Sequence, residues 1–206
     1  MSTFIGIKKT AALNQPETLV QKLLNGDQAS FAELVEQYQD MLYNTALSIV
    51  QNNSDADDIT QEVFIQVYLS ISSFKGESKL STWLYQITIS KALDHEKKKK
   101  RNKRYGFIKS LFGISETTEA LPVEFNHPGI QLEKKESSNA LFKALKKLPD
   151  NQRIAFTLHK IEGQSNLEVA AIMNMNVTAV ESLMSRAKVN LKNTLQDYYN
   201  EKFKDQ

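Results

Sequence analysis

From Phe31 to Val50 the apolar residues Phe31, Leu34, Val35, Tyr38, Leu42, Ala46, Ile49 and Val50 recur at intervals near three and four. That spacing gathers them on one side of an α-helix but scatters them over both faces of a strand, so it specifies an amphipathic helix. The same rhythm returns at Ile59, Val63, Phe64, Val67 and Ile71, and at Trp83, Leu84, Ile87, Ile89 and Leu93. It reappears from Leu132 to Leu148, then through Ile154, Phe156, Leu158 and Ile161, and finally from Val169 to Ala187. Seven Gly and four Pro in 206 residues are too few to turn a strand-rich fold. The expected fold is all-α.

The helix ends are marked by residue type. Pro16 suits a first helical position and Gly26 a stop. Asp27 is the expected N-cap of the second helix, Ser54 or Asp55 of the third and Ser81 of the fourth. Pro149 ends a helix at Leu148, Asp150 can cap the next, and Gly163 stops it. Between Tyr105 and Ile130 periodicity dissolves, and Gly106, Gly113, Pro122, Pro128 and Gly129 fall there. A stretch of that kind reads as a linker between two helical domains, and Phe107, Phe112 and Phe125 suggest that it docks on something.

Charge is distributed unevenly. Residues 27–81 hold nine acids against two Lys, whereas residues 82–104 hold eight Lys or Arg against two acids. An acidic stretch running into a basic one fits two partners of opposite charge, although a solvated helix end gives the same count. The chain has no Cys, which excludes disulfides and thiolate metal sites. No apolar run reaches the roughly 20 residues of a membrane span, and the first residues lack a signal-peptide core. A cytoplasmic protein without membrane insertion is expected.

The segment after Gly163 carries the densest local information. Ser165-Asn166-Leu167-Glu168 is a capping box. Val169, Ala170 and Met173 follow on one face, then Asn174, a residue that tolerates the left-handed conformation of a tight turn. Asn176 can cap a second helix with Val177, Val180, Leu183, Met184 and Ala187 inside. Outside lie Thr178, Ala179, Glu181, Ser182, Ser185, Arg186 and Lys188. Such a unit is a helix-turn-helix whose second helix can enter a major groove, or a plain helical hairpin.

Taken together, the two halves resemble the bacterial extracytoplasmic-function (ECF) sigma factors. The residues that carry the likeness are Gly26-Asp27, Phe31, Leu34, Tyr38 and Leu42-Tyr43. The run from Asp55 to Phe64 follows, then Phe74 to Ser78, Thr82-Trp83-Leu84-Tyr85-Gln86-Ile87 and Ala92-Leu93-Asp94 with the basic run. In the second half they are Leu145, Leu148-Pro149, Gln152-Arg153, Phe156, Gly163, Glu168-Val169-Ala170 and Ser185-Arg186-Ala187. The likeness covers roughly residues 25–104 and 137–195.

What this resemblance implies is a non-enzymatic protein that lends promoter recognition to RNA polymerase. It implies an N-terminal segment with a short helix (1–26), a domain for core polymerase and the minus-ten element (27–104), a flexible linker (105–130) and a helix-turn-helix domain for the minus-thirty-five element (131–206). Asp55, Asp57, Asp58, Gln61 and Glu62 would meet the clamp coiled coil of the polymerase, a role that suits carboxylates facing Arg and Lys. Helix-dipole stabilisation also favours these acids, and a metal reading lacks the ligands to complete a set.

The loop from Phe74 to Ser81 would capture a flipped base of the melted non-template strand, with Lys75, Glu77, Ser78 and Lys79 as its polar groups and Trp83 and Tyr85 as nearby aromatics. Core packing is the competing role for Trp83. Thr88, Ser90, Lys91 and Asp94 are the expected outward residues of the following helix, and Lys97, Lys98, Lys99, Lys100, Arg101, Lys103 and Arg104 the expected phosphate contacts. Glu181 and Leu183 stand where the family commonly has Lys and Arg. Glu181 can accept from a cytosine amino group, and Leu183 suits burial. An anti-sigma partner, common in the family, is expected, and no cofactor or metal is. The alternatives are a stand-alone helix-turn-helix regulator, which would need a sensor or dimerisation domain, and a nucleic-acid enzyme working through the acidic cluster.

Overall fold

A computed structural model describes residues 18–111 and 135–202, and every element among them is helical. The first half holds α1 (Leu19–Leu24), α2 (Gln28–Val50), α3 (Asn53–Ser70), a 3₁₀ turn (Ile71–Ser73) and α4 (Leu80–Leu111). The second holds α5 (Lys135–Lys146), α6 (Asp150–Phe156), a π-helical turn (Thr157–Ile161), α7 (Asn166–Met173) and α8 (Val177–Lys202). Pro16, Phe112, Phe125 and the predicted restart at Leu132 lie outside the described residues.

The apolar stripes read from the sequence become the first core. Leu34, Leu42, Leu47, Ile49 and Val50 of α2 meet Ala56, Ile59, Val63 and Val67 of α3, and Leu84 and Ala92 of α4 close the bundle. Each fully buried Leu, Ile or Val contributes about 1.5–3 kcal/mol relative to its exposure. Phe31 stands edge-on to Phe64 at 6.3 Å and to Tyr68 at 5.3 Å between centroids.

Asp27 caps α2 as expected, its carboxylate accepting from the amides of Ala29 and Ser30. Other boundaries move. Asn52, not Ser54 or Asp55, caps α3: its Oδ1 accepts from the Asp55 amide at 2.9 Å. The fourth helix starts at Leu80, so Ser81 lies within it. Pro149 occupies the cap position of α6, and Asp150 is already helical. The largest correction is at the expected linker: α4 continues to Leu111, through Gly106. One Gly costs a helix only about 1 kcal/mol, too little to stop one that is already long.

In the second half Phe142, Ala144, Leu145 and Leu148 pack against Ala187 and Leu191 of α8. Gln152 accepts from Asn190 Nδ2 at 2.8 Å, and the buried Arg153 guanidinium donates to Asp150 at 2.9 Å. A third apolar cluster joins the two halves, combining Tyr85 of α4 with Ile154, Leu158, Val169, Ala170, Ile172, Val180 and Met184. The halves also meet at Gln51, which in the left-handed conformation at φ 54° donates from Nε2 to the Phe142 carbonyl at 2.7 Å.

Candidate nucleic-acid interface

The helix-turn-helix forms as its residue types dictate. Ser165 Oγ accepts from the Glu168 amide at 3.3 Å, and Glu168 accepts in return from the Ser165 amide at 3.1 Å. Asn174 takes φ 52°, ψ 49° at the turn. Asn176 Oδ1 accepts from the Ala179 amide at 2.7 Å and starts α8. Val180, Met184 and Ala187 are buried, and Val177 and Leu183 partly so. Thr178, Glu181, Ser182, Ser185, Arg186 and Lys188 are exposed along one continuous face, with Ala179 half-buried beside them.

The acidic group of α3 divides in two. Asp55 is half-buried and holds α4 to α3 through Lys99 and through His95 Nε2 at 3.7 Å. Glu62 pairs with Lys91 at 3.3 Å. Asp57, Asp58 and Gln61 remain exposed, and neither Asp57 nor Asp58 forms an ion pair among the described residues. The Asp57 charge helps burial to push the Tyr43 phenol above its ordinary pKa, burial being the larger cause. Farther along the helix, Ile65, Tyr68 and Leu69 are 60 to 71 % exposed. They extend the face of Asp58, Gln61 and Glu62 at helical spacing, so α3 presents an acidic end and an apolar end on one stripe. The sequence reading missed the apolar end. Its signal was the presence of Ile65 and Leu69 off the buried stripe of Ile59, Val63 and Val67.

Between α3 and α4 runs an open groove of about 540 Å³. Gln66, Ser70 and Ser73 line one side, Gln86, Ser90, Lys91 and Asp94 the other, with Trp83 and Ile87 between. Ser90, Lys91, Asp94 and Trp83 were expected here; Gln66, Ser70, Ser73 and Gln86 were not. Trp83 packs on Phe74 at 5.2 Å between ring centroids and also lines the groove. Lys75, Glu77, Ser78 and Lys79 are exposed on the loop beside it, where Gly76 adopts φ +71°.

Two residues expected to face a DNA strand do not. Thr88 is fully buried, and its hydroxyl donates to the Leu84 carbonyl at 2.9 Å. Leu84, Thr88 and Ala92 recur every fourth residue and form the inner stripe of α4. The hydroxyl satisfies itself on its own helix, so a residue judged polar by type behaves as an apolar one. Tyr85 is also buried, turned toward the second half, where its phenol oxygen accepts from Gln164 Nε2 at 3.1 Å. Burial, aided by the Glu162 charge, pushes its pKa up to about 12.

Beyond the bundle α4 carries the basic run. Lys97, Lys98, Lys100, Arg101, Lys103 and Arg104 are exposed, whereas Lys99, expected on phosphates, is half-buried and turns back to Asp55. Residues 101–104 are exposed without a break. Four successive residues exceed one helical turn, so the helix is exposed on all sides there, and three of the four residues, Arg101, Lys103 and Arg104, are cationic. Lys97 shares its charge with Asp94 at 3.3 Å. No cluster of His, Asp or Glu among the described residues could hold a metal ion.

The Sigma-70 region 2 family matches residues 34–102, which span the acidic helix, the groove and the basic run, and the Sigma-70, region 4 family matches residues 138–191. The chain is 31 % identical over 180 residues to the ECF RNA polymerase sigma factor SigW of Bacillus subtilis, covering 86 % of this chain and 95 % of the relative. It is 29 % identical to the ECF RNA polymerase sigma-E factor of Escherichia coli K12, covering 87 % and 94 %. Among solved structures, CnrH in complex with the cytosolic domain of CnrY aligns with a TM-score of 0.62 at 22 % identity, over 87 % of this chain and 96 % of that one. The sigma factor RpoE in complex with the anti-sigma factor NepR from Bartonella quintana aligns with a TM-score of 0.54 at 24 % identity, over 81 % and 96 %. These two show a shared fold.

Proposed function

The chain belongs to the ECF family of RNA polymerase sigma factors, and from that premise we propose how its surfaces divide the work. As a member it binds polymerase core and directs it to promoters, and it is not an enzyme. Residues 27–104 are the core-binding and minus-ten domain, and residues 131–206 the minus-thirty-five domain, joined by residues 105–130 apart from the helical extension of α4.

The α3 stripe docks on the clamp coiled coil. Asp57, Asp58 and Gln61 supply polar contacts, and Ile65, Tyr68 and Leu69 supply the desolvated centre that a stable protein interface needs. Asp55 acts from within, by fastening α3 to α4. The loop from Phe74 to Ser81 and the groove beside it take the melted non-template strand, with Trp83 as the apolar wall and Gln66, Ser70, Gln86 and Ser90 as hydrogen-bonding groups for a base edge. The basic end of α4 follows the phosphates. The outer face of α8 reads duplex, Thr178, Glu181 and Ser182 at base edges and Arg186 and Lys188 on the backbone.

The observation that carries this reading is the sequence of surfaces along α3 and α4: acids, exposed apolar residues, polar groove, free cationic helix. We infer that the protein works in the cytoplasm, with the polymerase it serves. No described helix is long and apolar enough to cross a membrane. An anti-sigma factor is the expected negative regulator, as the sigma factor RpoE is seen in complex with the anti-sigma factor NepR. The test is reconstitution. The purified chain added to bacterial core polymerase yields specific transcript starts, and starts that are equally specific without it overturn the assignment.

A further inference from the structure

Lys79 belongs to the loop assigned to the strand, yet its ammonium is engaged elsewhere. Its Nζ lies 3.0 Å from Glu168 Oε1, across the boundary between the halves. Glu168 is also the reciprocal member of the capping box that starts the helix-turn-helix. One carboxylate therefore joins the first helix of the duplex-reading unit to the strand-reading loop. Around this pair the boundary is built in the same direction. Gln86 Nε2 donates to the Ala171 carbonyl at 3.2 Å, and Gln164 donates to Tyr85. Ile89, Met41 and Leu93 pack on the apolar cluster that holds Ile154, Leu158 and Val169. Gln86 is, like Lys79, a residue of the strand-reading surface, and it too is partly taken by α7.

We propose that Lys79 is a latch: in the free chain Glu168 holds it and favours the packed halves, and a nucleic-acid phosphate arriving at the loop competes for the same ammonium and shifts the balance toward opening. The proposal rests on reading the loop as a strand contact. Its chemistry is exchange of one anion for another, with no bond made or broken. A carboxylate and a phosphate oxygen are alternative acceptors for Lys, and the polyanion brings additional cation contacts that Glu168 cannot match. Linkage makes the coupling reciprocal: a strand that opens the halves binds more tightly to a chain already open. The cost of opening is set mainly by the Tyr85 cluster; the pair sets its response to anions.

The absence of Cys allows a direct test in the full chain. Dyes at Glu33→Cys on α2 and Asn193→Cys on α8, both exposed positions, report the packing of the halves by energy transfer. Lys79→Gln and Glu168→Gln remove the ion pair, and Gln at the second position preserves the capping box. Each is expected to shift the closed-to-open ratio about two- to fivefold, the range of an exposed ion pair. The double variant should shift it no further than either single one. A short single-stranded oligodeoxynucleotide should lower transfer in the parent chain and do so less in Lys79→Gln. Unchanged transfer in both Gln variants overturns the latch without any DNA being involved. Strand binding, seen by anisotropy, that leaves transfer unchanged overturns the competition while leaving the loop assignment intact. A strand that fails to bind the chain even at low salt overturns the loop assignment on which the competition rests.

Discussion

The two surfaces proposed to face DNA are made in different ways. The outer face of α8 belongs to a single helix whose start, turn and inner stripe are written within about two dozen consecutive residues. The groove between α3 and α4 is composite: Gln66 and Ser70 come from one helix, Ser90 and Asp94 from another, and Ser73 from the turn between them. A surface made by one helix keeps its shape as long as that helix is anchored. A surface made by two depends on every residue that fixes their distance. The groove is therefore the more fragile of the two, and its determinants lie in the core beneath it.

The strongest way to test that contrast is to remove the anchor of α4. Leu84 is fully buried, and Leu84→Ala is expected to cost about 2–5 kcal/mol. A thermal melt should show the loss, and minus-ten binding should fall before minus-thirty-five binding does. Equal loss at both elements would make the two surfaces one cooperative unit.

The next effect is pH-dependent and lies at the join. Burial raises the Glu162 carboxyl to about 7 from an ordinary 4.5. The folded chain then holds a proton that the unfolded chain has released between those values. Stability is greatest below pH 4.5 on this account, falls as pH rises toward 7, and levels off above it. The span corresponds to about 3 kcal/mol. Glu162→Gln should stabilise the chain at pH 8 and leave it unchanged at pH 4, as read by denaturant titration at the two values. Glu168 works in the opposite sense. The Lys79 ammonium, then the Ser165 donors, hold its carboxyl down to about 2. Its contribution is present above pH 4.5 and is lost as pH falls toward 2, so strong acid should loosen the halves.

Smaller still is the loss of a cap. Ser165→Ala removes the hydroxyl that accepts from the Glu168 amide, at a cost of about 1 kcal/mol. That loss should weaken minus-thirty-five binding while core binding stays intact. Reversing Asp57 and Asp58 to Lys should reduce co-purification with core polymerase yet change stability by no more than about 0.5 kcal/mol, since both are exposed. The smallest effect is expected from Thr88→Val. The hydroxyl bonds only to its own helix, so promoter selection in run-off transcription should not move. A changed start-site preference would return Thr88 to the strand-reading surface.

The same division explains what the sequence made legible. Ser165 with Glu168, Asn174 and Asn176 were read correctly because a cap or a left-handed turn is decided by near neighbours. The buried stripes of α2 and α3 were read because period alone determines them. Gln66, Ser70 and Ser73 were missed because nothing local says which polar residues will line a groove with another helix. Thr88 and Tyr85 were misplaced because residue type was allowed to outrank register. Thr88 lies on the Leu84–Ala92 stripe, and Tyr85 one position around it, facing a half of the chain that begins beyond residue 130. The acidic group was found as a group, but its partition needed α4, which supplies Lys91, His95 and Lys99 as partners. The early end assigned to α4 came from weighing Gly106 above the helix that precedes it.

The uninterrupted course of α4 has a consequence of phase. Ser90 in the groove and Arg101 on the free cationic end are eleven residues apart on one rigid rod, hence about 16 Å along the axis. Their angular relation is fixed as well, because every residue turns the helix by about 100°. A single Ala inserted after Lys100 would leave the charge, the Asp55–Lys99 contact and the residues of the groove unchanged. It would swing the whole cationic end through more than a quarter turn relative to the groove. Three or four inserted residues would bring it back nearly into phase but displace it by about 5 Å. On the proposed reading, strand capture and backbone grip are held in angular register by one continuous helix.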